Sequence, residues 1–316
     1  MTPSPPLRQS RHVVGIDIGG TKIEVALADR SGRILDRIRL ETRAAAGPEQ
    51  ALERIVAAVG TLAELSERSH GTAVGGYAAV CPGVIRPDEI LFAPNLPGWQ
   101  QIPLAARLQT ALGVPDVPVA NDVQAGAYAE LRFGALKGVD PGVYVSLGTG
   151  VAAAVTTAGE VLTGAHQAAG EIGYFAVGSD TPVDVVAGRA PLEELVGGKA
   201  LGVRASEVLG APVTAAELFA RTDKPARKLT AQALDTLGAA IANIAILLDP
   251  ERVVIGGGLM ASADVILPAV ADRLARAVPF PPELLAARFI QDASLHGAVA
   301  LALHEPTGIE PVVPAH

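Results

Sequence analysis

The stretch VVGIDIGGTKIEVALA, residues 13–28, decides how the rest of the chain is read. Two apolar runs, residues 13–18 and 23–28, flank a turn of Gly19, Gly20, Thr21 and Lys22, with one acid, Asp17, just before it. The pattern predicts a β-hairpin whose tip is nearly bare of side chains. Glycines there let backbone N–H groups converge on an anion, while Thr21 and Lys22 add a hydroxyl and a positive charge. A carboxylate at the mouth of such a loop can hold a hydrated Mg²⁺ beside phosphates, which makes Asp17 the candidate metal residue. The same residues also describe an ordinary hairpin with one buried, hydrogen-bonded acid. This segment alone leaves both readings open.

Working outward, a third strand is expected at residues 34–40 and a helix at 49–67, where Leu52, Ile55, Val56, Val59 and Leu62 share one face. A strand at 75–80 ends in Cys81-Pro82-Gly83, and residues 91–103 read as a loop. Pro103 can open a short helix that Gly113 closes. Alternating strands and helices indicate an α/β architecture. Near residue 117 the pattern starts again. Residues 143–147, a Gly148-Thr149-Gly150 turn and residues 151–156 form a second strand–turn–strand unit of similar spacing, so two related halves are expected. A nearly uncharged helix at 234–248 follows, then a strand at 252–255 running into Gly256-Gly257-Gly258. A helix from about Asp264, a strand near 288–291 and a final helix at 297–303 complete the reading.

Composition narrows the function. The 316 residues give room for two domains, the formal charge is −8 and aromatics make up 3%. Such a chain lacks both the field and the stacking surfaces that nucleic-acid binding relies on, so no nucleic-acid partner is expected. Cys81 is the single cysteine, which excludes an internal disulfide and fits a reducing, cytoplasmic setting. Residues 1–12 have no apolar core of the kind a secretory signal needs. Residues 141–159 are uncharged, but four glycines with Ser146, Thr149, Thr156 and Thr157 make them too polar to span a membrane, and no membrane partner is expected.

Three glycine turns thus follow strands, at 19–21, 148–150 and 256–258. In open α/β sheets ligands bind at the carboxyl ends of strands. Neither a GxGxxG nor a GxxxxGK[ST] loop is present, so three separate turns suit a nucleotide, two clamping phosphates and the third beneath adenosine. Asn121-Asp122 opens a helix. As a cap it would be worth about 1 kcal/mol. A helix N-terminus also keeps a carboxylate ionised, the form in which an Asp takes the proton of an attacking hydroxyl. The residues by themselves allow either role.

Taken together, GIDIGGTKI at 15–23, PGVI at 82–85, PNLPGW at 94–99, AND at 120–122, SLGTG at 146–150, AGEIG at 169–173, LE at 192–193 and VVIGGGL at 253–259 resemble the ROK family (repressors, open reading frames and kinases). The resemblance implies an ATP-dependent hexose kinase on a duplicated actin/hexokinase-like, ribonuclease H-like α/β fold, with two domains around a cleft. The small domain would comprise 12–118 plus a C-terminal helix at about 296–305, the large one 119–295, with 1–11 and 306–316 as loose tails. Asp122 would be the base. Asn121, Glu171 and Glu193 would bind sugar hydroxyls, with Gly83 and Asn95 on a loop closing over the sugar. Asp17 would lie near Mg²⁺, Gly19, Gly20, Thr21, Lys22, Gly148, Thr149 and Gly150 near the phosphates, and Gly256, Gly257 and Gly258 at the adenosine. A homodimer or homotetramer is the family habit.

Two departures stand out. The family's structural zinc uses a histidine where this chain has Tyr174, and three cysteines in a segment matching residues 184–191, which has none; no zinc is expected. Tyr174 also alters the sugar site, where its hydroxyl can donate or accept. Ala152 and Ala153 replace glycines after the second turn, where their methyl groups would crowd phosphates unless the backbone there avoids positive φ. His166 reads as a solvated loop residue. The competing readings are a non-catalytic sugar sensor, for which the dozen residues before Val13 are too few to form a helix-turn-helix, and a pseudokinase.

Overall fold

The computed structural model describes residues 11–178, 185 and 187–304, and the chain divides into two compact units. One comprises the chain up to Asn121 together with the segment from Leu295, the other Asp122–Ser294. The expected tails lie outside the described residues, apart from Arg11.

The first unit runs β1 (His12–Ile18), β2 (Lys22–Ala28), β3 (Ile34–Glu41), α1 (Pro48–His70), β4 (Val74–Val80), β5 (Val84–Ile85), β6 (Ile90–Leu91), α2 (Leu104–Leu112) and β7 (Val119–Ala120). Its main sheet has the order β3-β2-β1-β4-β7, antiparallel through the first three strands and parallel thereafter. Register explains the burial. Val14, Ile16 and Ile18 stand opposite Leu27, Val25 and Ile23, so all six share the face that packs on Leu52, Ile55, Val59 and Leu62 of α1. On the other face the backbone itself is the contact surface: a Cβ on Gly15 would lie 2.8 Å from the amide nitrogen of Val299 in the last helix, Ala293–Ala302. Gly113 ends α2 in the left-handed conformation at φ 67°, the C-cap the sequence signals.

The second unit runs α3 (Asp122–Phe133), β8 (Gly142–Leu147), β9 (Val151–Thr157), β10 (Glu160–Val161), α4 (Pro191–Val196), α5 (Gly198–Leu209), α6 (Ala215–Ala220), α7 (Lys224–Leu248), β11 (Arg252–Gly256), α8 (Ala263–Ala277) and β12 (Glu283–Ala286). Its sheet order, β10-β9-β8-β11-β12, repeats that of the first unit: a three-stranded antiparallel meander followed by two parallel strands. The similarity of residues 143–156 to the first hairpin is therefore a duplication of topology.

Two expectations need correction. No strand forms at 288–291; the edge strand is Glu283–Ala286, placed by parallel pairing to β11 and by the Arg252–Glu283 ion pair. The helix read at 234–248 begins ten residues earlier, at Lys224, where Asp223 accepts from the Ala226 N–H and a proline occupies the first turn. By length and composition α7 could cross a membrane, but Leu229, Leu237, Ile241 and Ile244 are buried in the core of this unit.

Buried Glu130, on α3, accepts from the backbone N–H of Ala135 at 2.7 Å and of Phe289 at 2.8 Å, tying the end of this helix to the segment after β12. Glu130→Ala removes the acceptor of two half-buried backbone donors. The expected loss is about 3 kcal/mol of unfolding free energy, read from a urea melt.

Candidate active site

In the second unit the turn after β8 is held from three sides. Gly148 N–H donates to Gly150 O at 3.0 Å, and the first amides of α5 donate back to it, Gly198 to Gly148 O at 2.8 Å and Lys199 to Thr149 O at 3.0 Å. The third support is Glu193 on α4, whose Oε2 accepts from Val151 N–H at 3.2 Å and sits only 2.1 Å from where a Cβ on residue 150 would be. A side chain at position 150 would displace that carboxylate. The turn after β11 lies alongside: a Cβ on Gly148 would be 3.7 Å from Gly258 N. Gly257 has φ 91° and presses on the backbone of Leu147, leaving no room for a side chain.

Glu171 lies within electrostatic reach of Glu193 and of Asp122. Gly170, at φ 91°, passes against Ala153 O and carries the chain into a 3-10 turn, Ile172–Tyr174, whose Gly173 packs on Val151 O and Glu193 Cβ. Burial raises the Glu171 carboxyl above its usual range, and the charges of Asp122 and Glu193 raise it further. Burial likewise raises the Tyr174 hydroxyl, with Glu171 and Glu193 adding to it, so this group stays protonated and able to donate. Asp122, in the first turn of α3, is open to solvent yet crowded by enough protein to raise its carboxyl. Backbone N–H bonds at Asp122 and Val123 oppose that rise and lose. Desolvation therefore outweighs the helix end in setting the direction of the shift.

Ala152 and Ala153 lie within β9 and are not among the residues with positive φ, so alanine is accommodated there as ordinary strand. His166 is exposed. Of the segment expected to replace the zinc site, Asp184 and Val186 lie outside the described residues. Arg189 makes a two-pronged pair with Glu194, Nε to Oε1 at 2.7 Å and Nη2 to Oε2 at 2.8 Å, fastening this segment to α4 beside Glu193.

In the first unit the hairpin tip is equally constrained. Gly19 N–H donates to Lys22 O at 2.9 Å, and the Thr42 hydroxyl donates to Gly19 O at 2.5 Å, a clamp from the end of β3 that no sequence pattern announced. Thr21 O accepts from Thr42 N–H at 2.9 Å. Gly20 abuts Asn95, whose Cβ would be 2.8 Å from a methyl group there, and Gly83, at φ 103°, abuts Leu91 O. The hairpin tip and the 91–95 loop are thus neighbours, while Asn121 is buried at the end of this unit after β7.

Asp17 stands in register with Glu24 on one face of the sheet. Burial raises the Glu24 carboxyl, but hydrogen bonds from Lys22 and Arg39 and their charges outweigh it and hold it low. Lys22 is therefore ion-paired to Glu24, a partner the motif did not reveal. Among the described residues no group of three or more His, Cys, Asp or Glu is arranged as a metal cage. Asp17 at the mouth of an anion-receiving turn fits Mg²⁺ of the kind bound by one or two carboxylates plus substrate phosphates.

Residues 13–305 match the ROK family, and the chain belongs to it. Over 301 residues the chain is 33% identical to N-acetylmannosamine kinase of Shigella flexneri, covering 93% of this chain and 99% of that one. Among solved structures it is similar to the ROK hexokinase from Thermus thermophilus, with a TM-score of 0.78 at 32% identity over 92% of this chain and 97% of that one. It is also similar to a ROK family glucokinase from Streptomyces griseus in complex with glucose and AMPPNP, with a TM-score of 0.71 at 27% identity over 92% and 99%.

Proposed function

We propose that this chain transfers the terminal phosphoryl group of ATP to a hydroxyl of a hexose or hexose derivative, with Asp122 as general base. One observation carries the reading: in a single unit the fold gathers Asp122, Glu171 and Glu193 and seats Glu193 against the Gly148–Gly150 turn. A proton acceptor for an alcohol and backbone suited to an anion thus belong to the same unit.

Glu171, Glu193, Tyr174 and Asn121, with Gly83 and Asn95, hold the sugar. Carboxylates accept from its hydroxyls and the protonated Tyr174 donates. Gly19, Gly20, Thr21, Thr149 and the turns around them take the phosphates, and Gly256, Gly257 and Gly258 take the adenosine. Asp17 holds Mg²⁺, which when bound neutralises charge on the phosphates. Asp122 orients the acceptor hydroxyl and takes its proton, and positioning supplies most of the remaining rate.

No zinc enters this reading, because Tyr174 and residues 184–191 supply neither the histidine nor the cysteines that such a site needs. The sole cysteine, Cys81, is buried, in keeping with a cytoplasmic setting. The assembly is a homodimer or homotetramer, and exposed Ile246, Leu247 and Phe280 are apolar side chains that such an assembly would cover.

The test is ADP release with Mg²⁺-ATP over glucose, mannose, fructose, N-acetylmannosamine and N-acetylglucosamine. Turnover of at least one sugar is expected, and ADP release that no sugar accelerates would remove the reading.

A further inference from the structure

We propose that Phe92 is a specificity-determining contact for the sugar, its ring lying against the apolar C–H face of the pyranose. The inference rests on the kinase reading above and adds to it a residue that no motif marks.

Phe92 is held in a conformation that bulky side chains avoid. Its φ is 56°, in the left-handed region, a strained position for a residue without glycine's freedom. It also forgoes burial. The ring is 57% exposed, while Ile90, Ala93, Leu96 and Trp99 around it are all buried. These neighbours are fixed: Ile90 N–H donates to Gln100 O at 3.0 Å, Leu96 N–H to Ala93 O at 3.0 Å and Trp99 N–H to Leu96 O at 3.2 Å. The loop is thus anchored in the core on both sides of one outward aromatic. A loop free to relax would bury the ring and escape the left-handed region; this one does neither.

Its position says what the ring is for. Leu91, the residue before it, packs its carbonyl on Gly83, and Asn95, three residues on, packs on Gly20 of the hairpin tip. Phe92 therefore sits on the loop that carries the proposed sugar contact Asn95, one residue from the backbone contact with Gly83. A pyranose has polar edges and also an apolar face. An aromatic ring is the usual protein surface for such a face, large, rigid and inexpensive in side-chain entropy.

The backbone provides an unusual control. Phe92→Gly and Phe92→Asn both suit the left-handed region better than phenylalanine, so removing the ring relieves strain. The expected result is a sugar KM raised at least fivefold in both variants, an ATP KM changed less than twofold and a melting temperature no lower than wild type. Phe92→Tyr, which keeps the ring, should stay within twofold of wild type for the sugar. The sugar is whichever of the panel above wild type phosphorylates. A sugar KM within twofold of wild type in the glycine and asparagine variants overturns the inference and leaves the kinase reading intact. So does a changed sedimentation coefficient with unchanged sugar KM, which would assign the ring to a contact between copies of the chain. If wild type turns over no sugar, both readings fall.

Discussion

Asp122→Asn is expected to lower kcat by about 10²- to 10⁴-fold, the usual worth of a general base, while sugar KM moves only a few-fold. The substitution separates the two roles that Asn121-Asp122 has in the sequence. Asparagine caps a helix as well as aspartate does, so a residue that only starts α3 would tolerate the change. It would not tolerate it as the proton acceptor for a hydroxyl, because an amide has no useful basicity. Single-turnover assays with the best sugar of the panel read the difference. Wild-type turnover in the variant would take Asp122 out of the mechanism.

The pH dependence of the same residue gives an independent signature. Desolvation by the surrounding protein raises the Asp122 carboxyl above its ordinary 3.8. The base is protonated and idle at acid pH, so kcat/KM should fall with an acid limb displaced above that value, and the limb should be missing from the residual activity of Asp122→Asn. Stability runs the other way. A carboxyl whose folded pKa is raised favours the fold while protonated and loses that contribution as pH rises through the folded pKa. Asp122→Asn should therefore melt no lower than wild type at neutral pH, and the two should converge in acid. A base kept charged at some cost to the fold is what a working site would show.

How much of this could be read in advance depended on whether a feature was local. The hairpin at 13–28 and its counterpart at 143–156 were legible because alternation, glycine turns and spacing are properties of neighbouring residues. The glycines were legible for a physical reason too: Gly83, Gly170 and Gly257 occupy positive φ against backbone atoms, where a side chain cannot go. What escaped was set by tertiary pairing. Arg288, Phe289 and Ile290 look like a strand, yet β11 pairs with Glu283–Ala286 instead. α4, α5 and α6 went unread because Gly197, Gly198, Gly202 and Gly210 break the helical pattern, although Thr214 and Glu217 form a full capping box at the start of α6. Thr42 at the hairpin tip, Glu24 on Lys22, Glu130 under α3 and the orientation of Phe92 each depend on a partner distant in sequence.

Glu193→Gln is expected to raise sugar KM about 10- to 100-fold, the equivalent of one charge-assisted hydrogen bond of about 1.5–3 kcal/mol. The side chain has two duties: one oxygen holds Val151 N–H and rests on Gly150, and the carboxylate's charge contributes to the raised Glu171 carboxyl. Glutamine keeps the shape and one acceptor but removes the charge, so the glycine turn should stay in place while the sugar loses its stronger acceptor. Gly150→Ala provides the complementary perturbation, since its methyl group would meet Oε2 at 2.1 Å and the flexible carboxylate is what must give way. That variant should raise sugar KM without altering any acid. It should raise ATP KM as well, because the displaced carboxylate releases the Val151 end of the turn. If both changes act through the one contact, the double variant should be little worse for the sugar than the poorer single variant. Full additivity would mean that Glu193 serves the sugar and Gly150 serves the nucleotide independently, and the two halves of the site would lose the structural link that joins them here.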